Sequence, residues 1–437
     1  MRTRKTAYEL ARSQVETPEG IVRFVWKLTA KYRTHFARVL DLGAGDGRFA
    51  HWGHYDTYHG VEIDHHRVQG NALPQNASMH IGCAFAYPHR DYSLCIGNPP
   101  YVRHHDLDEE WRDKIAARFS REIGIDVNRK SNLYVYFMTL GLLKTSDDGL
   151  VSLLVPYEWA SRPSTSALRR FIQSNRWHVD IYRFVEKVFG TVLTTASVSV
   201  IDKRKRDGRW CYHDVDANQR IQRQREVTLS NKRLLPYEER GTIWAMRGMS
   251  PGTQRIFTLT EGERVHSGLR REDVLPCVTS LRTLPKALSE LTSSAFREFY
   301  IDAGERCWLI GSHKEPNTRL QNYLDHVPES LRATWTCTSR EIWYRYELHP
   351  QPRLLVAAGF TTHGSKILIN RVGAYAVGSV CGVHSQRHSL PLRRLTQYLR
   401  GIDFESRVVA HSGSLKKIEI RQFNAVLNRF AARYCRG

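Results

Sequence analysis

The sequence predicts an α/β protein: a mostly parallel sheet covered by helices on both faces, followed by a separate mixed α/β domain. Three observations carry that reading. Strand-length apolar runs alternate with helix-length segments through the first two hundred residues. Two β-branched runs near the end of that stretch lie too close together for a crossover helix between them. After about residue 205, charge runs and short apolar segments replace the regular alternation.

The elements follow in order. Phe36 to Leu42 is a short apolar run ending in a Gly-rich turn, and Tyr58 to Ile63 and Tyr92 to Ile96 read as two further strands. Asn132 to Lys144 has helical length and an apolar face. Leu150 to Val155 reads as a strand opened by Asp148-Gly149. Thr165 to Ser174 reads as a helix with Leu168, Phe171 and Ile172 on one side. Val179 to Phe184 and Ala196 to Ile201 are the two close β-branched runs, best satisfied by an antiparallel hairpin. Further on, Arg353 to Ala358 and Lys366 to Ile369 look like strands, with Gly359 to Gly364 between them. The expected division is residues 1–235 and 236–437.

A chain of 437 residues exceeds one small domain. Charged residues make up 25% and hydrophobic residues 41%, the balance of an ordinary globular protein rather than a disordered one. The formal net charge of +21 suits a polyanionic partner, since lysines and arginines that neutralise phosphates release counterions. The two expected parts carry excesses of +10 and +11, so either could face a nucleic acid. The sharpest basic run, Lys203-Arg204-Lys205-Arg206 followed by Arg209, Arg220, Arg223 and Arg225, reads equally as a phosphate-contacting surface or a solvated linker. Eight cysteines without a CxxC pair indicate neither a zinc framework nor disulfides, hence a reducing compartment. The N-terminus lacks the apolar region of a secretory signal, and the longest apolar stretch, Leu133 to Leu143, is too short to span a bilayer. The reading is an intracellular, cytoplasmic protein with no membrane partner and no metal.

Two constellations carry chemistry. Asp41-Leu42-Gly43-Ala44-Gly45-Asp46-Gly47 would form a strand–Gly turn–helix arrangement in which backbone approaches a ligand at the carboxyl edge of the sheet. About twenty residues on, Gly60-Val61-Glu62-Ile63-Asp64 offers a carboxylate that accepts from ribose hydroxyls, with Asp64 the candidate for a plain surface carboxylate. No lysine follows the glycines, which excludes a P-loop. Asp46 would repel a pyrophosphate, so a nucleoside cofactor without phosphates, S-adenosylmethionine, fits best. The second constellation, Asn98-Pro99-Pro100-Tyr101, directly follows a strand. Its prolines stiffen the backbone and remove two donors. The Asn98 side-chain oxygen and the Pro99 carbonyl can then both accept from one amino group, while the Tyr101 ring offers a stacking face. A rigid turn without chemistry is the bland alternative.

With these residues in view, the chain resembles the gamma-class N6-adenine DNA methyltransferases of restriction–modification systems, the TaqI-like group. The resemblance rests on Glu16-Thr17-Pro18 ahead of a helix, Asp41 to Gly47, Gly60 to Asp64, and Ile96 to Arg103. It continues through Asn132-Leu133-Tyr134 to Phe137 and Leu154-Val155-Pro156. It covers the first two hundred residues and is looser through Trp343-Tyr344 and Leu354 to Asn370.

The resemblance implies a Rossmann-like methyltransferase sheet followed by a target-recognition domain on double-stranded DNA. It implies a monomer in a bacterial, archaeal or phage setting, with a cognate endonuclease as a separate chain. Thr17 and Pro18 would sit by the methionine end of the cofactor. Asp41, Gly43, Ala44 and Gly45 would form its loop, with Glu62 and Ile63 at the ribose and adenine, and Asn98 adjoining. Asn98, Pro99 and Pro100 would hold the target amine, and Tyr101 and Phe189 would stack on a flipped adenine. One position departs from the pattern: where the family usually carries an aspartate that reads the cofactor's adenine, Ile81 to Phe85 offers Cys83, a poor acceptor.

Other readings stay open on the residues alone. The tetrapeptide also suits RNA adenine or protein glutamine methylation, and a catalytically weak DNA-binding specificity protein remains an alternative. No nuclease-like carboxylate–lysine cluster stands out. In the second domain Arg270, Arg271, Lys366, Arg371, Arg387 and His388 are candidates for phosphate or guanine contacts, with solvated surface charge the simpler expectation.

Overall fold

The computed structural model describes residues 16–69, 72–186, 195–223, 235–360, 364–386, 390–405, 407–408, 410–412 and 415–435. The chain divides into two compact units, residues 1–230 with 410–414 and residues 231–409 with 415–437.

The first unit is built on nine strands: β1 (Phe36–Leu42), β2 (Tyr55–Glu62), β3 (Ala77–Ile81), β4 (Tyr92–Gly97), β5 (Thr145–Pro156), β6 (His178–Phe184), β7 (Ala196–Asp202), β8 (Trp210–Val215) and β9 (Ile221–Arg223). Their order across the sheet is β3-β2-β1-β4-β5-β7-β6-β8-β9. The strands from β3 through β5 are parallel. β7 runs antiparallel to both its neighbours, as the short connection from β6 requires. β8 is parallel to β6, and β9 turns back along it.

The helices include α1 (Glu19–Thr29), α2 (Glu109–Ile123), α3 (Leu133–Lys144) and α4 (Ser166–Ser174). One face of the sheet is covered by α1, whose Val22, Val25 and Leu28 join Val39, Ile96, Leu154 and Val198 in one core. Each such fully buried side chain contributes about 1.5–3 kcal/mol. α3 is apolar all round, and its Tyr134, Met138 and Leu140 are buried along with most of the helix. α4 buries Leu168 and Ile172, one helical turn apart.

Three features depart from the sequence expectations. β5 begins at Thr145 rather than Leu150, because Thr145 already pairs with Tyr92 and a register shift before Leu94 absorbs the extra residues. α2 is a charged helix that buries only Ile115 and Phe119. Its ends are set by Asp108, whose side chain accepts from the Trp111 N–H, and by left-handed Gly124. The basic run after β7 is no linker, since it makes the turn into β8. Lys203 is buried there and donates to the carbonyls of Leu142 and Thr145.

The second unit holds a five-stranded sheet in the order Ile243–Arg247, Val380–Ser385, Leu354–Ala357, Ile367–Asn370, Glu290–Leu291. A four-stranded sheet includes Val274–Val278 and Trp308–Ile310. The two strands read from 353–358 and 366–369 pair antiparallel, Leu354 opposite Ile369. The helix Ile420–Tyr434 buries Phe423, Val426, Leu427 and Phe430, and Asn424 Oδ1 accepts from the Ala245 N–H. Among the described residues no helix is long and apolar enough to cross a membrane.

In the first sheet β2 and β4 lie on opposite sides of β1. The chain segments leaving the carboxyl ends of β1 and β4 therefore diverge, which is where open α/β sheets hold ligands.

Candidate active site

The loop after β1 is shaped by its glycines. Gly43, Gly45 and Gly47 all have φ between 60° and 78°. That conformation strains any other residue. The N–H groups of Gly43 and Ala44 donate to the Val61 carbonyl, so the loop is tied to β2. Asp41 ends β1 with its side chain almost wholly buried. Its Oδ2 accepts from the Tyr58 hydroxyl at 2.6 Å, while its Oδ1 is buried with no hydrogen-bond partner. Burial pushes the Asp41 carboxyl up to about 7, with the Tyr58 bond opposing.

The turn after β4 approaches this loop closely. Gly97 has φ 142°, and a Cβ there would lie 2.1 Å from Asp41 Oδ1. A Cβ on Gly43 would meet Pro100 Cδ at 3.3 Å. The loop and the Asn98 to Tyr101 turn thus share one crevice. Asn98 Nδ2 donates to the buried Thr17 Oγ1 at 3.0 Å. Its Oδ1 is buried without a partner, an unspent acceptor beside the glycine loop. Pro99 is buried and Pro100 half-buried. The Tyr101 hydroxyl donates to the Leu154 carbonyl on β5 at 2.9 Å, and its ring meets Tyr134 edge-on. Both contacts fix the ring plane, and burial pushes the phenol well up.

Glu62 closes β2. Its Oε2 accepts from the Gly45 N–H at 2.8 Å, and Oε1 from the N–H groups of Ile63 and Asp64, each at 2.9 Å. These bonds take three of the roughly four acceptor positions of a carboxylate, so a ribose would share Glu62 with the loop it braces. Ile63, at 69% exposed, offers bare apolar surface at the carboxyl edge, and Ile81 does the same at the end of β3. Cys83 follows β3, half-buried, with its carbonyl accepting from Ala86. Pro18 is exposed at the start of α1. Asp64 caps the turn 65–68 by accepting from the His66 N–H. Phe189 lies outside the described residues, as do Arg387 and His388.

Arg48 is the residue that sequence reasoning missed. Its Nε donates to Asp46 Oδ1 at 2.8 Å, Nη1 to the Thr17 carbonyl at 2.6 Å and Nη2 to Glu16 at 3.0 Å. It binds the segment before α1 to the glycine loop, and thereby holds Thr17 against Asn98. It also pairs the Asp46 charge, which weakens the expectation that Asp46 would repel a phosphate. The available signal was an arginine two residues after a loop carboxylate, which many solvated pairs share.

In the second unit three of the basic candidates are engaged internally. Arg271 pairs with Glu261 at 2.9 Å and stacks over Trp308. Arg371 pairs with Glu290 at 3.0 Å. Lys366 Nζ donates to the carbonyls of Leu281, Arg282 and Leu284 at 2.6–3.0 Å. Arg270 is exposed.

Residues 59–189, which include the candidate turn, match the family described as Eco57I restriction-modification methylase. The chain is 21% identical over 315 residues to the Type II methyltransferase M.AccI of Acinetobacter calcoaceticus, covering 64% of this chain and 57% of that protein. It is 30% identical over 201 residues to the Type II methyltransferase M.XamI of Xanthomonas campestris pv. amaranthicola, covering 42% and 37%. The chain thus spans about half the length of the curated relatives it matches. Among solved structures, a nuclease-deletion mutant of the Type ISP restriction-modification enzyme LlaGI, in complex with a DNA substrate mimic, aligns over 95% of this chain and 46% of its own. The TM-score is 0.51 at 11% identity, a likeness of fold. The resemblance to restriction–modification methyltransferases is borne out by the family and relative matches, and over residues 59–189 this chain is similar to the Eco57I-type methylases.

Proposed function

We propose that this chain is a site-specific DNA methyltransferase of the gamma-class, TaqI-like kind, moving a methyl group from S-adenosylmethionine to the N6 amine of an adenine flipped out of duplex DNA. The observation that carries the reading is Asn98: its amide nitrogen is spent on Thr17 while its buried Oδ1 has no partner. Such an oxygen is suited to accept from an amino group.

The residues present suit the cofactor. Positive-φ glycines admit close backbone approach, exposed Ile63 suits a planar ring, and Glu62 stands at the end of β2. S-adenosylmethionine supplies, when bound, an electrophilic methyl on a sulfonium. Asn98 Oδ1 and the Pro99 carbonyl accept from the two N–H bonds of the amine and aim its lone pair, so alignment lowers the barrier. Tyr101, held by Leu154 and Tyr134, stacks on the base. No covalent enzyme intermediate is needed. The second unit reads the target sequence, with a separate endonuclease as its counterpart.

Modification-detecting sequencing of DNA from cells expressing the chain tests this. Methylated adenine within one recurring motif is expected. DNA without such a motif would send the assignment to RNA or to a non-catalytic role.

A further inference from the structure

On the opposite edge of the same sheet, at the amino end of β6, three potential metal donors converge, His178, Asp180 and Cys211, with His213 against Asp180. β6 and β8 run parallel with Asp180 opposite Cys211 and Tyr182 opposite His213. Strand alternation therefore puts His178, Asp180, Cys211 and His213 on one face. His178 Nε2 lies 2.9 Å from Asp180 Oδ2, and His213 Nε2 lies 2.7 Å from Asp180 Oδ1. One donor atom each from His178, Asp180 and Cys211 fall within 4.8 Å of one another. The side chains of His178 and Asp180 are 6% and 10% exposed.

His178 is held from both sides: its Nδ1 lies 2.9 Å from Asp207 Oδ1 and its Nε2 2.9 Å from Asp180 Oδ2, an oxygen that also accepts from the Tyr32 hydroxyl at 2.6 Å. The buried Asp180 carboxylate is thus flanked by two imidazoles, with the Cys211 sulfur within 4.8 Å of donor atoms on His178 and Asp180. Two cations border the cluster. Lys205 Nζ is 3.5 Å from His178 Nε2 and 3.5 Å from Asp207 Oδ2, on a side chain that is half-exposed. Arg223 donates to Cys211 Sγ at 3.4 Å.

We propose that His178, Asp180, Cys211 and His213 form a binding site for a zinc-class divalent ion, separate from the methyl-transfer site. Two imidazoles, a carboxylate and a thiolate make a borderline-soft set that selects zinc or cobalt over magnesium and calcium. Asp207 on His178 Nδ1 and Tyr32 on Asp180 are the outer partners that orient such ligands. The ion joins β6 to β8 and, through Tyr32, braces the segment just beyond α1.

The full chain, stripped with chelator and dialysed against zinc or cobalt, provides the test. One equivalent of zinc per chain is expected by elemental analysis, with a raised melting temperature. The cobalt form should show a tetrahedral spectrum with a thiolate charge-transfer band. Cys211→Ser should abolish that band, and His213→Gln should weaken zinc binding about tenfold or more. Wild-type chain that takes up no stoichiometric zinc or cobalt overturns the site and leaves the cluster a hydrogen-bonded network. So does one equivalent bound equally by wild type and both variants. Neither outcome bears on methyl transfer.

Discussion

The carboxyl edge of the first sheet and the basic surface of the second unit were both marked out by sequence, and the structure treats them differently. At the sheet edge two buried acceptors, Asp41 Oδ1 and Asn98 Oδ1, have no partner. In the second unit Arg271, Lys366 and Arg371 each meet an internal acceptor. Buried polar atoms are almost always paired in folded proteins. A cluster of unpaired ones beside a glycine loop therefore carries more functional information than a surplus of positive charge.

The contrast can be broken experimentally. Asn98→Ala carries the largest expected effect: loss of methyl transfer by about 100-fold or more, with S-adenosylmethionine binding retained. Labelled methyl incorporation and calorimetry read the two separately, and near-normal turnover would remove the catalytic turn from the argument. Lys366→Ala should cost about 2 kcal/mol of stability, because three carbonyls lose their donor. Chemical denaturation measures this. If the variant kept its stability and lost DNA affinity instead, Lys366 would belong to the binding surface after all.

Cys83→Asp should tighten S-adenosylmethionine binding roughly tenfold, about 1.4 kcal/mol, by restoring a good acceptor after β3. Unchanged affinity in calorimetry would show that Cys83 lies off the cofactor. The smallest effect concerns pH. The folded-state pKa of Asp41 is raised to about 7, so its contribution to stability is intact below the unfolded value and is lost as pH rises through about 7. Asp41→Asn keeps a partner for Tyr58 and lacks that loss. Its melting temperature should therefore gain on wild type between about pH 4 and about pH 7. A constant difference across that range would mean that Asp41 stays ionised.

Much of the first unit was legible because its signals are local. β1 spans Phe36–Leu42 as read, since its buried second half, Val39 to Leu42, is mostly apolar and runs straight into the glycine loop. The β6–β7 pair followed from a spacing that admits only an antiparallel turn. α2 was hidden because only Ile115 and Phe119 face the core, too few to mark a period. Arg48 was hidden for a different reason: its partners Glu16 and Thr17 lie about thirty residues away, and nothing in the intervening sequence announces the contact. The second unit was read least well. Its strands are short and pair across long separations, as Glu290–Leu291 does with Ile367–Asn370.

The sequence by itself determined the alternation of strands and helices, the glycine loop, Glu62 and the Asn98 to Tyr101 turn. Those are properties of residue type at short spacing. Only the tertiary structure decided that Gly97 must lack a side chain to clear Asp41, that Thr17 occupies one end of the Asn98 amide, and that Arg271, Lys366 and Arg371 of the second unit are already partnered. The physical reason is the same in each case. Whether a polar atom is satisfied depends on which distant atom the fold brings within about 3 Å of it, and spacing along the chain does not encode that distance.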